Sequence, residues 1–104
     1  MDTIKINLPE TEILAQLAEE ASELAQAALK LRRAIDKWNP TVVSEESARD
    51  HLREEIGDVL NCLGQLTTDY DMAVAEAYRR LKLRRWADRL DAAKRTKETK
   101  REGT

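Results

Sequence analysis

The chain contains no phenylalanine, and its aromatic residues come to two Trp and two Tyr. Sandwich and barrel cores draw heavily on rings and β-branched side chains, so this scarcity leaves Leu, Ile, Val and Ala to build the interior. Glycine and proline are also sparse, 3 and 2 in 104 residues. So few breakers favour a small number of long amphipathic helices. A single cysteine, Cys62, excludes an intrachain disulfide and gives no sign of an oxidising compartment. There is no apolar run of bilayer length, and Met1 to Asn7 does not read as a signal peptide. These absences predict a soluble, cytoplasmic protein with no membrane partner.

The length suits one domain, read as residues 1–93 followed by a basic tail over 94–104. A core of small aliphatic side chains is thin at this size. Self-association, as a homodimer or a homotetramer, is the expected remedy.

Charge is abundant and uneven. Residues 1–71 carry 15 acidic and 7 basic side chains, net −8, whereas residues 72–104 carry 5 and 11, net +6. An acidic part beside a basic part suits a metal-plus-polyphosphate site. It equally suits head-to-tail association, a nucleic-acid tail or plain solvated helix faces.

Apolar spacing predicts an all-α fold with three main helices, the first two antiparallel, completed to a four-helix-type bundle by oligomerisation. A short extended arm over residues 3–8 precedes them. The first helix should run from about Pro9 to Lys37 with its stripe at Leu14, Leu17, Ala21, Leu24, Ala28, Leu31, Ile35 and Trp38. Asn39-Pro40 should stop it. The second should begin after Ser44 or Ser47 and bury Leu52, Ile56, Val59, Leu63 and Leu66. The third should start with Asp71 as cap and reach Leu90. The apolar-poor stretch from Lys94 to Thr104 should be disordered.

Against this pattern the acids stand out. Glu20 and Glu23 are one turn apart on the first helix, as are Glu55 and Asp58 on the second. By helical rotation Glu20 falls about 60° and Glu55 about 70° from the centre of its stripe, at the margin of the face that must pack. The turn neighbours of Glu20 are Gln16, Leu17, Glu23 and Leu24, which supply no cation. Converging carboxylates repel unless a hard divalent cation joins them, and Mg²⁺ is the usual occupant. Metal-held phosphate chemistry would then need a carboxylate to accept a proton from water, a role open to Glu20 or Glu23.

These residues carry a resemblance. Leu17-Ala18-Glu19-Glu20-Ala21-Ser22-Glu23-Leu24-Ala25 and Leu52-Arg53-Glu54-Glu55-Ile56-Gly57-Asp58-Val59-Leu60 resemble the two motifs of the MazG-like all-α nucleoside triphosphate pyrophosphohydrolases. That superfamily also holds dimeric dUTPases, dCTP pyrophosphatases and phosphoribosyl-ATP pyrophosphohydrolase. The resemblance covers roughly residues 10–90. It implies Mg²⁺ (or Mn²⁺) bound by Glu20, Glu23, Glu55 and Asp58, and cleavage of a (d)NTP between its α and β phosphates. It implies phosphate contacts from the segment Arg80-Leu81-Lys82-Leu83-Arg84-Arg85-Trp86, with Lys82 and Arg85 as the candidates. Many relatives place an Asn where this chain has Arg80 or Lys82. Loss of turnover is expected for Glu20→Gln or Asp58→Asn.

Several residues stay open between two roles. Trp38 is either a base-stacking ring or the end of the apolar stripe. His51 and Cys62 flank the second acid motif but lie about 16 Å apart along one helix, too far for a shared zinc. Gly57 either permits close helix approach or is simply tolerated. The rival reading from another class is a non-catalytic helical oligomerisation or interaction module. Nucleic-acid binding through residues 79–101 is not favoured, because stacking aromatics are scarce there.

Overall fold

A computed structural model describes residues 4–36 and 43–103. Their regular structure is helical throughout: α1 (Glu10–Asp36), α2 (Glu45–Leu66) and α3 (Asp69–Glu102), with no strand among the described residues. The all-α class holds. None of these helices is long and apolar enough to cross a membrane.

α1 starts behind Pro9, whose carbonyl accepts from the Glu12 and Ile13 amides at 3.0 and 3.2 Å. Glu10 and Glu12 in its first turn and Arg33 in its last complement the helix dipole. Its expected stop at Asn39-Pro40, and Trp38 with it, lie outside the described residues. Of the two serines expected to cap α2, Ser44 does so: its Oγ accepts from the Ser47 amide at 3.1 Å. At the other end the Thr67 amide and hydroxyl both donate to the Leu63 carbonyl, at 3.0 and 2.6 Å.

α1 and α2 pack antiparallel. Leu31 and Ala34 cluster with Ala48, Val43 and Leu52, while Ile13 and Gln16, two helical thirds earlier, share a cleft with Cys62 and Gln65. The segment before α1 forms no strand over its described part. It hangs instead from one side chain: Gln65 Oε1 accepts from the Ile6 amide at 2.9 Å, and Gln65 Nε2 donates to the Ile4 carbonyl at 2.6 Å.

The packing face differs from the expected stripe. Leu17, Leu24 and Leu31 belong to both, but the second column of α1 is Ile13, Glu20, Ala27 and Ala34, all buried or half-buried. Leu14 and Ile35 are exposed, at 48% and 49%. On α2 the covered positions include Ala48, Glu55 and Cys62 together with Leu52, Val59, Leu63 and Leu66 of the expected stripe, whereas Ile56 is 42% exposed. The column chosen is the smaller one. Ala27 and Ala48 retain 1% exposure each, which takes close helix approach. Gly57 plays no part in it, since an added Cβ there meets nothing within 4 Å. Ala48→Leu is expected to destabilise the protein by about 1–3 kcal/mol through overpacking. Urea unfolding checks this, and an unchanged midpoint would contradict so tight a seam.

The chain divides into two compact units, Met1–Thr67 and Thr68–Thr104, and the second consists of α3. Thr68 caps α3 in place of Asp71. Its hydroxyl accepts from the Asp71 amide at 3.1 Å and its amide donates to Asp71 Oδ2 at 2.9 Å, a reciprocal capping box. These bonds hold the Asp71 carboxyl below the usual range. Where the composition predicts disorder from Lys94, the helix continues to Glu102. Nothing from Lys94 onward breaks a helix until Gly103, whose amide donates to the Thr99 carbonyl at 2.9 Å. Hydrogen bonds from Arg79 and then Arg80 hold the Glu76 carboxyl at about 2. No described residue of α3 is buried.

Candidate metal centre

The acids predicted for the margin of the packing face lie within it. Glu20 sits in the buried column of α1 between Leu17 and Leu24, and Glu55 in that of α2 between Leu52 and Val59. Antiparallel packing sets them against each other, and Glu23 follows one turn along α1. Each of Glu20, Glu23 and Glu55 offers a carboxylate oxygen within 4.8 Å of those of the other two.

Their surroundings supply little compensation. Glu55 is 7% exposed, the one charged side chain buried among the described residues. Its Oε1 lies 3.8 Å from His51 Nε2, and its Oε2 is buried with no hydrogen-bond partner. Glu20 repeats the arrangement: Oε1 accepts from Gln16 Nε2 at 2.8 Å, and Oε2 is buried without a partner. Two orphaned anionic acceptors beside a third carboxylate are costly in a protein seam unless protons or a cation neutralise them. The negative charge of Glu20, and after it that of Glu55, pushes the Glu23 carboxyl above its ordinary range. Three hard oxygen donors, two with unused lone pairs, fit a divalent cation of the Mg²⁺ type.

Asp58 is exposed and does not belong to the group that converges. It lies one turn beyond Glu55, at the flank of the seam. Burial, then the charges of Glu20 and Asp58, push the Cys62 thiol up. His51 also approaches Glu54, with Nδ1 3.5 Å from Oε2. Lys82 and Arg85 are exposed on α3, in the second unit.

Two clefts open along the helix pair. One, of about 570 Å³, has Glu23 and Glu55 at its acidic end and Gln26, Lys30, Arg33 and His51 along the rest. The other, of about 400 Å³, is mainly apolar and lies between the N-terminal segment and the seam, with Ile4, Ile6, Leu8, Ile13 and Cys62 in its walls. Sequence reasoning passed over Gln16, Lys30 and Arg33. The signal was available in the spacing: Gln16 stands four before Glu20, and Lys30 seven after Glu23, on the same helix face.

Residues 9–84 match the family model of the MazG nucleotide pyrophosphohydrolase domain. The chain belongs to that family. Comparison with curated proteins and with solved structures finds no match for it. The MazG match takes in all of α1 and α2, with every acid of the cluster and Asp58, and the first half of α3 through Arg84, Lys82 included. Arg85 and the remainder of α3 follow the MazG segment. Within it, the two acid motifs meet through the packing face of one helix pair.

Proposed function

We propose that this MazG-family protein is a Mg²⁺-dependent nucleotide pyrophosphohydrolase that converts a (d)NTP and water to a (d)NMP and pyrophosphate. The observation that carries the reading is the pair of buried, partnerless oxygens, Glu20 Oε2 and Glu55 Oε2, inside a cluster of three carboxylates. Glu20, Glu23 and Glu55 would hold the cation, with Asp58 joining from the next turn of α2. When bound, Mg²⁺ (or Mn²⁺) offsets phosphate charge and acidifies water.

The protein's own groups divide the remaining work. Gln16 fixes one oxygen of Glu20, which orients that carboxylate as a ligand. Of the two candidates for accepting the proton of the attacking water, Glu20 and Glu23, it is Glu23 that lines the open cleft, which supports that role for it. The water oxygen adds to the α phosphorus, and the bond to the α–β bridging oxygen breaks with its electron pair leaving on pyrophosphate. Burial of Glu20 Oε2 and Glu55 Oε2 in the seam keeps bulk water from these oxygens. Lys82 and Arg85 on α3 are the proposed phosphate contacts, and Trp38 the proposed base-stacking ring. Exposed Tyr70, Met72, Tyr78, Leu81, Trp86 and Leu90 on α3 support a homodimer or homotetramer.

The experiment is a panel of standard and modified nucleoside triphosphates incubated with Mg²⁺ and scored by product. Pyrophosphate and monophosphate are expected. Orthophosphate with diphosphate would overturn cleavage between the α and β phosphates, and no product from any nucleotide would leave only a helical interaction module.

A further inference from the structure

We propose that Lys30 and Arg33 of α1 form the seat of the terminal phosphate, so that the cleft distinguishes tri- from diphosphates. This rests on the pyrophosphohydrolase reading and adds a second set of phosphate contacts, separate from Lys82 and Arg85. The cleft of about 570 Å³ is asymmetric: carboxylates of Glu23 and Glu55 at one end, cations of Lys30 and Arg33 along α1. Neither cation has a carboxylate partner among the described residues. Lys30 is half-buried and lines the cleft, as suits a lysine that packs its aliphatic stem and presents its ammonium.

The register supports a linear ligand. Lys30 and Arg33 stand about 10 and 15 Å beyond Glu23 along the axis of α1. Side chains on a helix lean toward its N-terminus, so both reach back toward Glu23. A polyphosphate whose α-phosphoryl group lies at the carboxylate end therefore runs its negative tail into the cationic end. Gln26, between the two ends, offers an amide donor to the intervening oxygens. A diphosphate is one group shorter and leaves the distal cation unused. Arg33 suits that distal position, because its planar fork can bind a terminal phosphate through two N–H donors. The chemistry recognised is an unbranched triphosphate, with no demand made on base or sugar.

The test titrates the full chain with inorganic tripolyphosphate and, separately, inorganic pyrophosphate in the presence of Mg²⁺, by calorimetry. Wild type is expected to bind tripolyphosphate more tightly than pyrophosphate. Lys30→Gln with Arg33→Gln is expected to weaken tripolyphosphate at least about tenfold and to erase the preference. Arg33→Lys should keep part of it. Circular dichroism checks that the doubly substituted chain stays helical, and neither side chain belongs to the hydrophobic cluster. In turnover, KM for triphosphates should rise with kcat little changed. Equal tripolyphosphate binding by wild type and the double variant, or none by either, overturns the inference. Failure of the wild type to hydrolyse any nucleotide overturns the pyrophosphohydrolase reading, and the titration still decides the role of these two cations.

Discussion

Glu55→Gln is expected to lower pyrophosphate release by at least about 10²-fold, since several kcal/mol of charge stabilisation depend on the ligand set. The amide keeps the shape of the side chain, so the helix pair should remain intact by circular dichroism. It removes the negative charge and replaces one acceptor with a donor. Glu55 is the sharpest place to make that change, because it is 7% exposed and one of its oxygens has no partner. Asp58→Asn provides the contrast. The resemblance implies equal roles for the two acids, whereas the structure leaves Asp58 exposed and outside the convergent group. Its loss should therefore be the smaller of the two. Near-normal turnover by Glu55→Gln would remove the buried acids from the chemistry.

The second large effect is on stability. Mg²⁺ at about 100 times its dissociation constant should stabilise the fold by about 2.7 kcal/mol. In a chain of this size that corresponds to a rise of about 10 °C or more in the thermal midpoint. The same Glu55→Gln variant should melt higher than wild type without metal and should no longer respond to Mg²⁺. Without a cation, three carboxylates with oxygens inside 4.8 Å oppose one another. The folded value of Glu23 lies above its ordinary 4.5, so the stability linked to this group is present below that value. It is lost as pH rises through the raised folded value. Metal-free protein should accordingly lose this contribution toward neutral pH, and added Mg²⁺ should restore the balance. Scanning calorimetry with and without chelator checks both parts. A midpoint indifferent to Mg²⁺ in the wild type would contradict a cation in the seam.

The comparison of sequence and structure is instructive at the acids themselves. The starts of α1 and α2 were legible because capping residues and charge bias act locally: Pro9, the serine pair that contains Ser44, and the acidic first turns mark them. The antiparallel pair was legible from the apolar spacing; of the four acids whose spacing suggested one cluster, Glu20, Glu23 and Glu55 meet and Asp58 does not. What periodicity misplaced was the packing column. Hydrophobic scoring prefers Leu14, Ala21, Ala28 and Ile35 over Ile13, Glu20, Ala27 and Ala34, because a carboxylate in the middle of a face counts against it. The structure breaks that rule at Glu20 and Glu55, where carboxylates from the two helices face each other inside the seam. The extent of α3 was hard to read for the opposite reason. Composition from Lys94 onward resembles a disordered tail, yet it contains strong helix formers and lacks a breaker until Gly103.

Ala27 and Ala48, each almost wholly covered, also have a bearing on ion choice. Two methyl groups that touch no ligand hold the backbones close along the same seam, on turns next to the carboxylates. Calcium and magnesium differ mainly in the room and number of oxygens they require. Under the metal reading proposed above, a bulkier residue at either alanine would spread the two helices and shift the balance between the two ions without altering a single donor atom.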